Sequence, residues 1–427
     1  MSTHASPFTQ AVVTSMRKLY PEALADQSFD NTGLLLEAPF DPLRRRMNSV
    51  LLTIDLTRAV ADEALESNCS VVVAYHPIIF RGLKSLTFKD SQQASLLRLI
   101  SEGVSVYCPH TAVDAVPGGM ADWLGDIVSG KMDAPEPETH TALTDWGKED
   151  AEKADVSETD TETDTEESDA ESTTAAKEDE DEDPFVEKTP KPNRPDLTRS
   201  YSKPTYPVPA SAPSPHFGTL HPSAIDHTRS VITPSPQASI DAANSLTNSS
   251  SYSTTNTGAG RLITFSRPQP LPVLIERIAS GIGRPKGFPV AIPQGSHVED
   301  LSIHTVAICP GSGSHVFNGV DADLYFTGEL SHHEALALTE KGGCVVTLFH
   351  SNSERGYLSA VMQKQLQTEV KKEWDRMRDG IMADGGPAED VEGVVNDDEV
   401  RVELSSRDRD PFGIVVIQES TVEGERI

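Results

Sequence analysis

Five side chains of this 427-residue sequence belong to the types that bind and activate a divalent cation: His76, His110, Asp114, His350 and Glu354. His110 and Asp114 stand four apart, as do His350 and Glu354. That spacing places two side chains on one side of a helical turn. Imidazole mixed with carboxylate suits Zn, Mn, Fe or Ni better than Ca. Few protein ligands per ion leave positions open for water or substrate, as catalytic centres require. Taken alone, each spacing also describes a solvated or capping pair, so position in the chain has to select between the two.

Position favours a site. Val71-Val72-Val73-Ala74 runs into Tyr75-His76-Pro77, and Val345-Val346-Thr347-Leu348-Phe349 runs into His350. Short β-branched runs bounded by polar residues read as buried strands. In open α/β sheets, chemistry collects at the carboxyl ends of such strands. Around the first run, Val50–Ile54, Thr57–Ser67, Ser91–Gly103 and Val104–Tyr107 alternate strand, helix, helix, strand, and Gly118–Gly130 closes with a helix. Upstream, Ser6 is an N-cap and Pro7 opens a helix bearing Phe8, Val12, Met16 and Leu19 on one face. Around the second run, strands are expected at Leu262–Phe265, His304–Cys309 and Asp323–Phe326, and helices at Leu271–Ile282 and Ser331–Glu340. A long helix follows from Ser353 to Trp374, with Leu358, Met362, Leu366 and Val370 as core positions. Val400–Leu404 and Ile414–Ile417 close as strands, after a Gly- and acid-rich loop at 378–398. This alternation implies a mostly parallel sheet with right-handed crossovers. The expected organisation is an α/β half at 1–132, an insert at 133–258 and a second α/β half at 259–427. An apolar strand ending at a histidine in each half suggests an ancient duplication.

The chain carries a formal net charge of −30. Asp133 to Glu187 alone holds 23 acidic and 3 basic residues, so the acidity belongs mainly to one segment. Residues 133–258 lack periodic apolar positions and cannot offset the entropy of ordering, so they read as disordered. The acidic Ser/Thr run serves either as a solvated spacer or as a phosphorylation cassette. No basic stripe marks a nucleic-acid surface, and no apolar stretch reaches the ~18 residues of a membrane span. Cys69, Cys108, Cys309 and Cys344 form no CxxC pair and read as buried, reduced thiols. The N-terminus lacks a secretory core. A cytoplasmic protein is expected, with mitochondrial or nuclear residence as the alternative. Arg17 and Lys18, against Glu22 as the one acid before Leu24, give a weak presequence character.

Two further motifs bear on a site. His332-His333-Glu334 follows Ser331 and reads either as a capped helix start or as an imidazole at the mouth of a cleft. Gly311-Ser312-Gly313-Ser314 follows a strand and presents backbone amides to an anion, or is a structural turn.

His76-Pro77 and His110-Thr111-Ala112-Val113-Asp114-Ala115-Val116-Pro117-Gly118-Gly119 together resemble the NGG-one-interacting factor three family. So do Phe326-Thr327-Gly328-Glu329 through Glu334, His350 through Gly356, Asp30-Asn31-Thr32-Gly33-Leu34, and Asp408-Arg409-Asp410-Pro411. The resemblance implies two related α/β halves around a cleft holding a dinuclear metal centre, in dimers or toroidal hexamers. It carries metal-ligand roles to His76, Asp114, His350 and Glu354, with Glu354 a candidate bridge and His110 a ligand or a neighbour of the ligands. Tyr75 stands where the prokaryotic pattern has a histidine. That exchange removes an imidazole and weakens or empties one site, or else places a phenol oxygen near the ion as donor or poor ligand.

Three functions follow. The first is a metal-dependent hydrolase acting on a nucleotide or another phosphorylated metabolite, with one or two ions. In it His110 or His332 moves a proton, and Gly311, Gly313 and Ser314 take the phosphate; bacterial relatives carry a GTP cyclohydrolase-like label. The second is an interaction protein that engages a transcriptional adaptor through 133–258. The third is metal storage or delivery.

Overall fold

Ser6 accepts a hydrogen bond from Phe8 N, and Pro7 sits where a missing amide costs nothing; together they start α1 (Pro7–Leu19). Phe8, Val12 and Met16 of this helix are fully buried, and Phe8 meets Trp374 edge-on at 5.6 Å. The computed structural model describes residues 5–130, 200–201 and 223–418.

After α1 come β1 (Gly33–Leu36), β2 (Met47–Thr53), α2 (Arg58–Glu66), β3 (Cys69–Ala74), α3 (Ser91–Ser101) and β4 (Ser105–Cys108). The short α4 (Thr111–Ala115) and α5 (Met120–Ser129) follow. Beyond β5 (Ser200–Tyr201) lie β6 (His227–Pro234), α6 (Gln237–Thr247), β7 (Gly258–Pro270), α7 (Leu271–Gly281) and β8 (Val290–Ala291). The chain continues through β9 (Ser302–Ser312), β10 (Leu324–Glu329), α8 (His332–Glu340) and β11 (Cys344–Thr347). A single turn α9 (Arg355–Tyr357) passes through a wider π turn into α10 (Gln363–Ala383). Then come α11 (Glu392–Val395), β12 (Arg401–Leu404) and β13 (Ile417–Gln418).

The strands form two main sheets, ordered β1-β4-β3-β2-β12 and β6-β7-β9-β10-β11-β8, and a small β13-β5 pair. The strands β4, β3, β2 and β12 run parallel, as do β9, β10 and β11. Alternation along β3 divides its side chains between two faces. Val71 and Val73 join the large core with α1, whereas Val72 and Ala74 pack with Val60, Leu96 and Leu99 from α2 and α3. The second sheet divides the same way, with Val306, Ile308, Phe326 and Val346 in that same large core and Ala307, Tyr325 and Val345 on the other face. Each fully buried Val or Leu contributes roughly 1.5–3 kcal/mol, and the core shared by both sheets fixes one against the other.

Three expectations need correction. Residues 227–258, expected to be structureless, form the edge strand β6 and helix α6; the rest of the expected insert lies outside the described residues apart from 200–201 and 223–226. The chain also does not divide at 259 into independent halves. β12 pairs in parallel with β2, Val402 beside Val50, so the C-terminal segment completes the first sheet. Finally, 378–398 is not a plain loop: α10 runs to Ala383, and Val394 and Val395 of α11 are buried in the main core. All four cysteines are free and buried, and no described helix is long and apolar enough to cross a membrane.

Candidate metal centre

The chemistry-bearing residues leave the sheets at the carboxyl ends of parallel strands. Asp55 follows β2, His76 follows β3, His110 follows β4, Glu329 ends β10 and His350 follows β11. The backbone is strained at two of these exits, with φ of 34° at His110 and 67° at Phe349, directly before His350. Such conformations cost roughly 1–3 kcal/mol and persist where the surroundings impose them.

His76, His350 and Glu354 each bring one ligand atom within 4.8 Å of the others. Glu354, 1% exposed, reaches both rings: Oε2 lies 3.3 Å from His76 Nε2, and Oε1 lies 3.4 Å from His350 Nε2. His76 Nε2 and Glu354 Oε2 are buried and lack a hydrogen-bond partner. The two atoms face each other as a charge pair without a hydrogen bond, a buried arrangement that a cation between them would satisfy. On the far side of each ring a carboxylate fixes the tautomer. Asp55 Oδ1 sits 2.9 Å from His76 Nδ1, and Glu329 Oε1 sits 2.9 Å from His350 Nδ1. Both Nε2 lone pairs are thereby directed to the Glu354 side, the arrangement metal-bound histidines use. These residues fit a divalent cation. Burial disfavours the His76 imidazolium, but Glu354 and Asp55 outweigh it and push its pKa up to about 11. A cation must therefore displace a proton from this site, so its binding is pH-dependent.

The remaining expected residues fall in different places. Asp114 lies outside the 4.8 Å group. Its two oxygens both lie 2.9 Å from the Tyr75 hydroxyl, which donates to them. Burial, and then the Glu354 charge, push the Asp114 pKa well above the usual carboxylate range. Burial and Asp114 keep the Tyr75 phenol protonated. Tyr75 thus acts as a hydrogen-bond donor to Asp114. His110 sits beside the trio, its ring 5.6 Å from that of His76, with Nδ1 held by Asp30 Oδ1 at 2.6 Å. Burial opposes ionisation of Asp30, yet its bonds to His110 and Thr111 lower its pKa, so it accepts as a carboxylate. The two four-residue spacings therefore behave differently. His350 and Glu354 converge, whereas His110 and Asp114 turn to Asp30 and Tyr75.

His332 is not among the residues whose ligand atoms gather within 4.8 Å of one another. It is exposed at the start of α8, its ring 5.2 Å from that of His333. Ser331 and Glu334 form the capping box, Glu334 Oε2 accepting from Ser331 N at 2.8 Å. In the Gly311–Ser314 turn, two of the three expected anion contacts have their amides already engaged. Gly311 N donates to Ser353 Oγ at 2.8 Å, and Gly313 N donates to Glu329 O at 3.3 Å. The Gly311 role is steric. At φ +60° an added Cβ would lie 2.6 Å from Glu354 Oε1 and 3.0 Å from His350 Nε2.

Asp30, Asp55 and Glu329 were not singled out as site residues from sequence. The strand-end rule that marked the histidines also marks Asp55 and Glu329, whereas Asp30 precedes β1; Asp30 and Glu329 lie within the motifs of the family resemblance but drew no role from it. Also missed was the tie behind the site. Arg355, 4% exposed, donates to Asp408 at 3.0 and 3.3 Å, and Asp408 accepts from Ile54 N at 2.9 Å. Asp410 accepts from Ser351 Oγ at 2.7 Å.

Two α/β sheets that deliver imidazoles from strand ends onto one buried glutamate define a protein with a candidate metal-binding cleft. Residues 9–378 match the family described as Duf34/NIF3 (NGG1p interacting factor 3), and the chain belongs to that family. It is 34% identical over 359 residues to "Protein NIF3 homolog" of Schizosaccharomyces pombe, covering 84% of this chain and 88% of that protein. It is 30% identical over 365 residues to "NGG1-interacting factor 3" of Saccharomyces cerevisiae, covering 84% of this chain and 90% of that protein. Among solved structures, a Bacillus cereus protein related to NIF3 shares the fold, with a TM-score of 0.51 at 16% identity over 95% of this chain and 98% of that one.

Proposed function

We infer that this chain is a metal-dependent hydrolase of small phosphorylated metabolites, nucleotides among them. The observation that carries the reading is the buried trio itself: His76 Nε2 and Glu354 Oε2 face each other at 3.3 Å without a hydrogen bond, and Asp55 and Glu329 orient the two imidazoles from behind. His76, His350 and Glu354 would hold one ion of Zn, Mn, Fe or Ni. A second ion would have to recruit Asp114, whose oxygens are engaged by Tyr75. When bound, the cation supplies Lewis acidity to water and to a substrate oxygen.

This chain's own residues supply the rest. His110, its Nδ1 fixed by the Asp30 carboxylate, presents Nε2 as a proton carrier beside His76. Burial and the Glu354 charge hold the Asp114 pKa well above the usual carboxylate range, which disfavours a second negative charge beside Glu354. Elemental analysis and a turnover screen test the reading. His350→Ala is expected to lose stoichiometric metal, and wild type loaded with each of the four metals is expected to hydrolyse at least one nucleotide or sugar phosphate. Metal retained by His350→Ala refutes the ligand set, and no turnover with any metal refutes the hydrolase.

A second reading is an interaction protein. Its support is the name of the yeast relative, which records a protein partner, together with the acidic segment from Asp133 to Glu187 as a binding arm.

A further inference from the structure

A cavity of about 600 Å³ opens beside the metal centre and shares two of its residues, His76 and Asp55. Arg58, Arg407 and Arg409 also line it, together with Thr57, Ser91 and Ser95, the last of which donates its hydroxyl to Ser91 O. Asp55 is the one acid among its described lining residues, and that carboxylate is engaged with His76 Nδ1. Arg407 is paired with Glu66 at the rim. Arg58 makes no ion pair or side-chain hydrogen bond among the described residues, although it sits next to the Thr57 cap of α2. The Thr57 hydroxyl accepts from Val60 N, which leaves its own proton available to a ligand. With Arg407 already paired to Glu66 and Asp55 engaged by His76, Arg58 and Arg409 make this wall locally basic within a chain of net charge −30, and a basic wall concentrates anions.

We propose that this cavity binds the phosphoryl group of the substrate, with Arg58 as its principal anchor and Arg409 and the Thr57 and Ser91 hydroxyls as further contacts. The inference rests on the hydrolase reading for the word substrate, and on the cavity alone for the anion. Planar guanidinium forks match the oxygens of a phosphoryl group and pair with them strongly. The volume suits a small metabolite. With His76 on the cavity wall, a phosphoryl group held by Arg58 keeps the attached molecule beside the cation ligands.

The test is calorimetric titration of the full-length protein with inorganic phosphate at low ionic strength, with metal content measured on each sample. Wild type is expected to bind one phosphate per chain. Arg58→Ala is expected to weaken binding about tenfold with metal content unchanged, and Arg58→Lys to fall between the two. Arg284→Ala, an exposed arginine paired with Glu276, is expected to bind as wild type. His350→Ala is expected to lose metal and still bind phosphate within about threefold. Three results would overturn the proposal: no phosphate binding by wild type, unchanged binding by Arg58→Ala, or loss of binding in His350→Ala, which would put the anion on the cation. Metal retained by His350→Ala would instead sink the ligand set and leave the arginine result standing.

Discussion

Gly311→Ala probes the centre without touching a ligand. The new Cβ would stand 2.6 Å from Glu354 Oε1 and 3.0 Å from His350 Nε2, where ordinary contact begins at 3.4 Å. Glu354 Oε1 must then retreat by about 0.8 Å, several times the ±0.2 Å that metal–ligand distances tolerate. The backbone cannot yield instead, because Gly311 N is held by Ser353 Oγ at 2.8 Å and Gly311 O by Thr327 Oγ1 at 3.0 Å. Alanine at φ +60° adds roughly 1 kcal/mol of backbone strain. The variant should therefore lose about 1–2 kcal/mol of stability, and at least tenfold in metal affinity, which is about 1.4 kcal/mol. Chelator competition on the folded protein reads the affinity, and urea unfolding reads the stability. Ser312→Ala, at the exposed neighbouring position, is the control. Wild-type affinity in Gly311→Ala would refute the placement of Glu354 and His350 as ligands.

Tyr75→His should restore an imidazole beside Asp114 and raise bound metal from one towards two equivalents per chain by elemental analysis; an unchanged ratio would show that the second position lacks more than this ring. For Asp122, burial raises the pKa, but Arg261 and then Arg229 outweigh it and hold it below its ordinary value of 3.8. The contribution of this carboxylate is thus complete above pH ~4 and lost as pH falls through the lowered folded value. Asp122→Asn should be about 1–3 kcal/mol less stable than wild type at pH 7, with the gap closing towards pH 3 in urea titrations; a pH-independent gap would refute the ion pair's role. Deleting Asp133–Glu187 removes no described element and should leave the melting temperature within a few degrees. Deleting 133–258 removes β6 and α6, including buried Ile240 and Ala243, and should prevent folding, as circular dichroism would show.

The strand-end histidines were legible because buried β-branched runs such as Val71–Ala74 announce themselves and their last residues can be counted. His76, His350 and Glu354 followed from that reading. Less visible were features whose cause lies far away in sequence. β12 buries Val402 and half-buries Leu404, and nothing in Arg401–Leu404 states that its neighbour will be β2. β6 was missed because none of its side chains is fully buried: exposed Thr228 and Ser230 alternate with half-buried polar His227 and Arg229, which hides the pattern. Gly311 was legible as a special backbone position, and of the two readings left open for it, an anion site or a structural turn, its contacts favour the second. An amide that looks free in the sequence is already bonded to Ser353, and the space a side chain would need belongs to Glu354.

The tie between Arg355 and Asp408 has a consequence for biosynthesis. Asp408 also grips the backbone of Ile54, at the end of the strand that delivers Asp55. One orienting carboxylate thus depends on residues that leave the ribosome late, after almost all of the folded portion has been made. A nascent chain can bury core residues before this point, yet it acquires an ordered cation-binding pocket only when residues 401–410 return to the first sheet. Prematurely terminated products should therefore emerge as near-folded proteins without a competent centre.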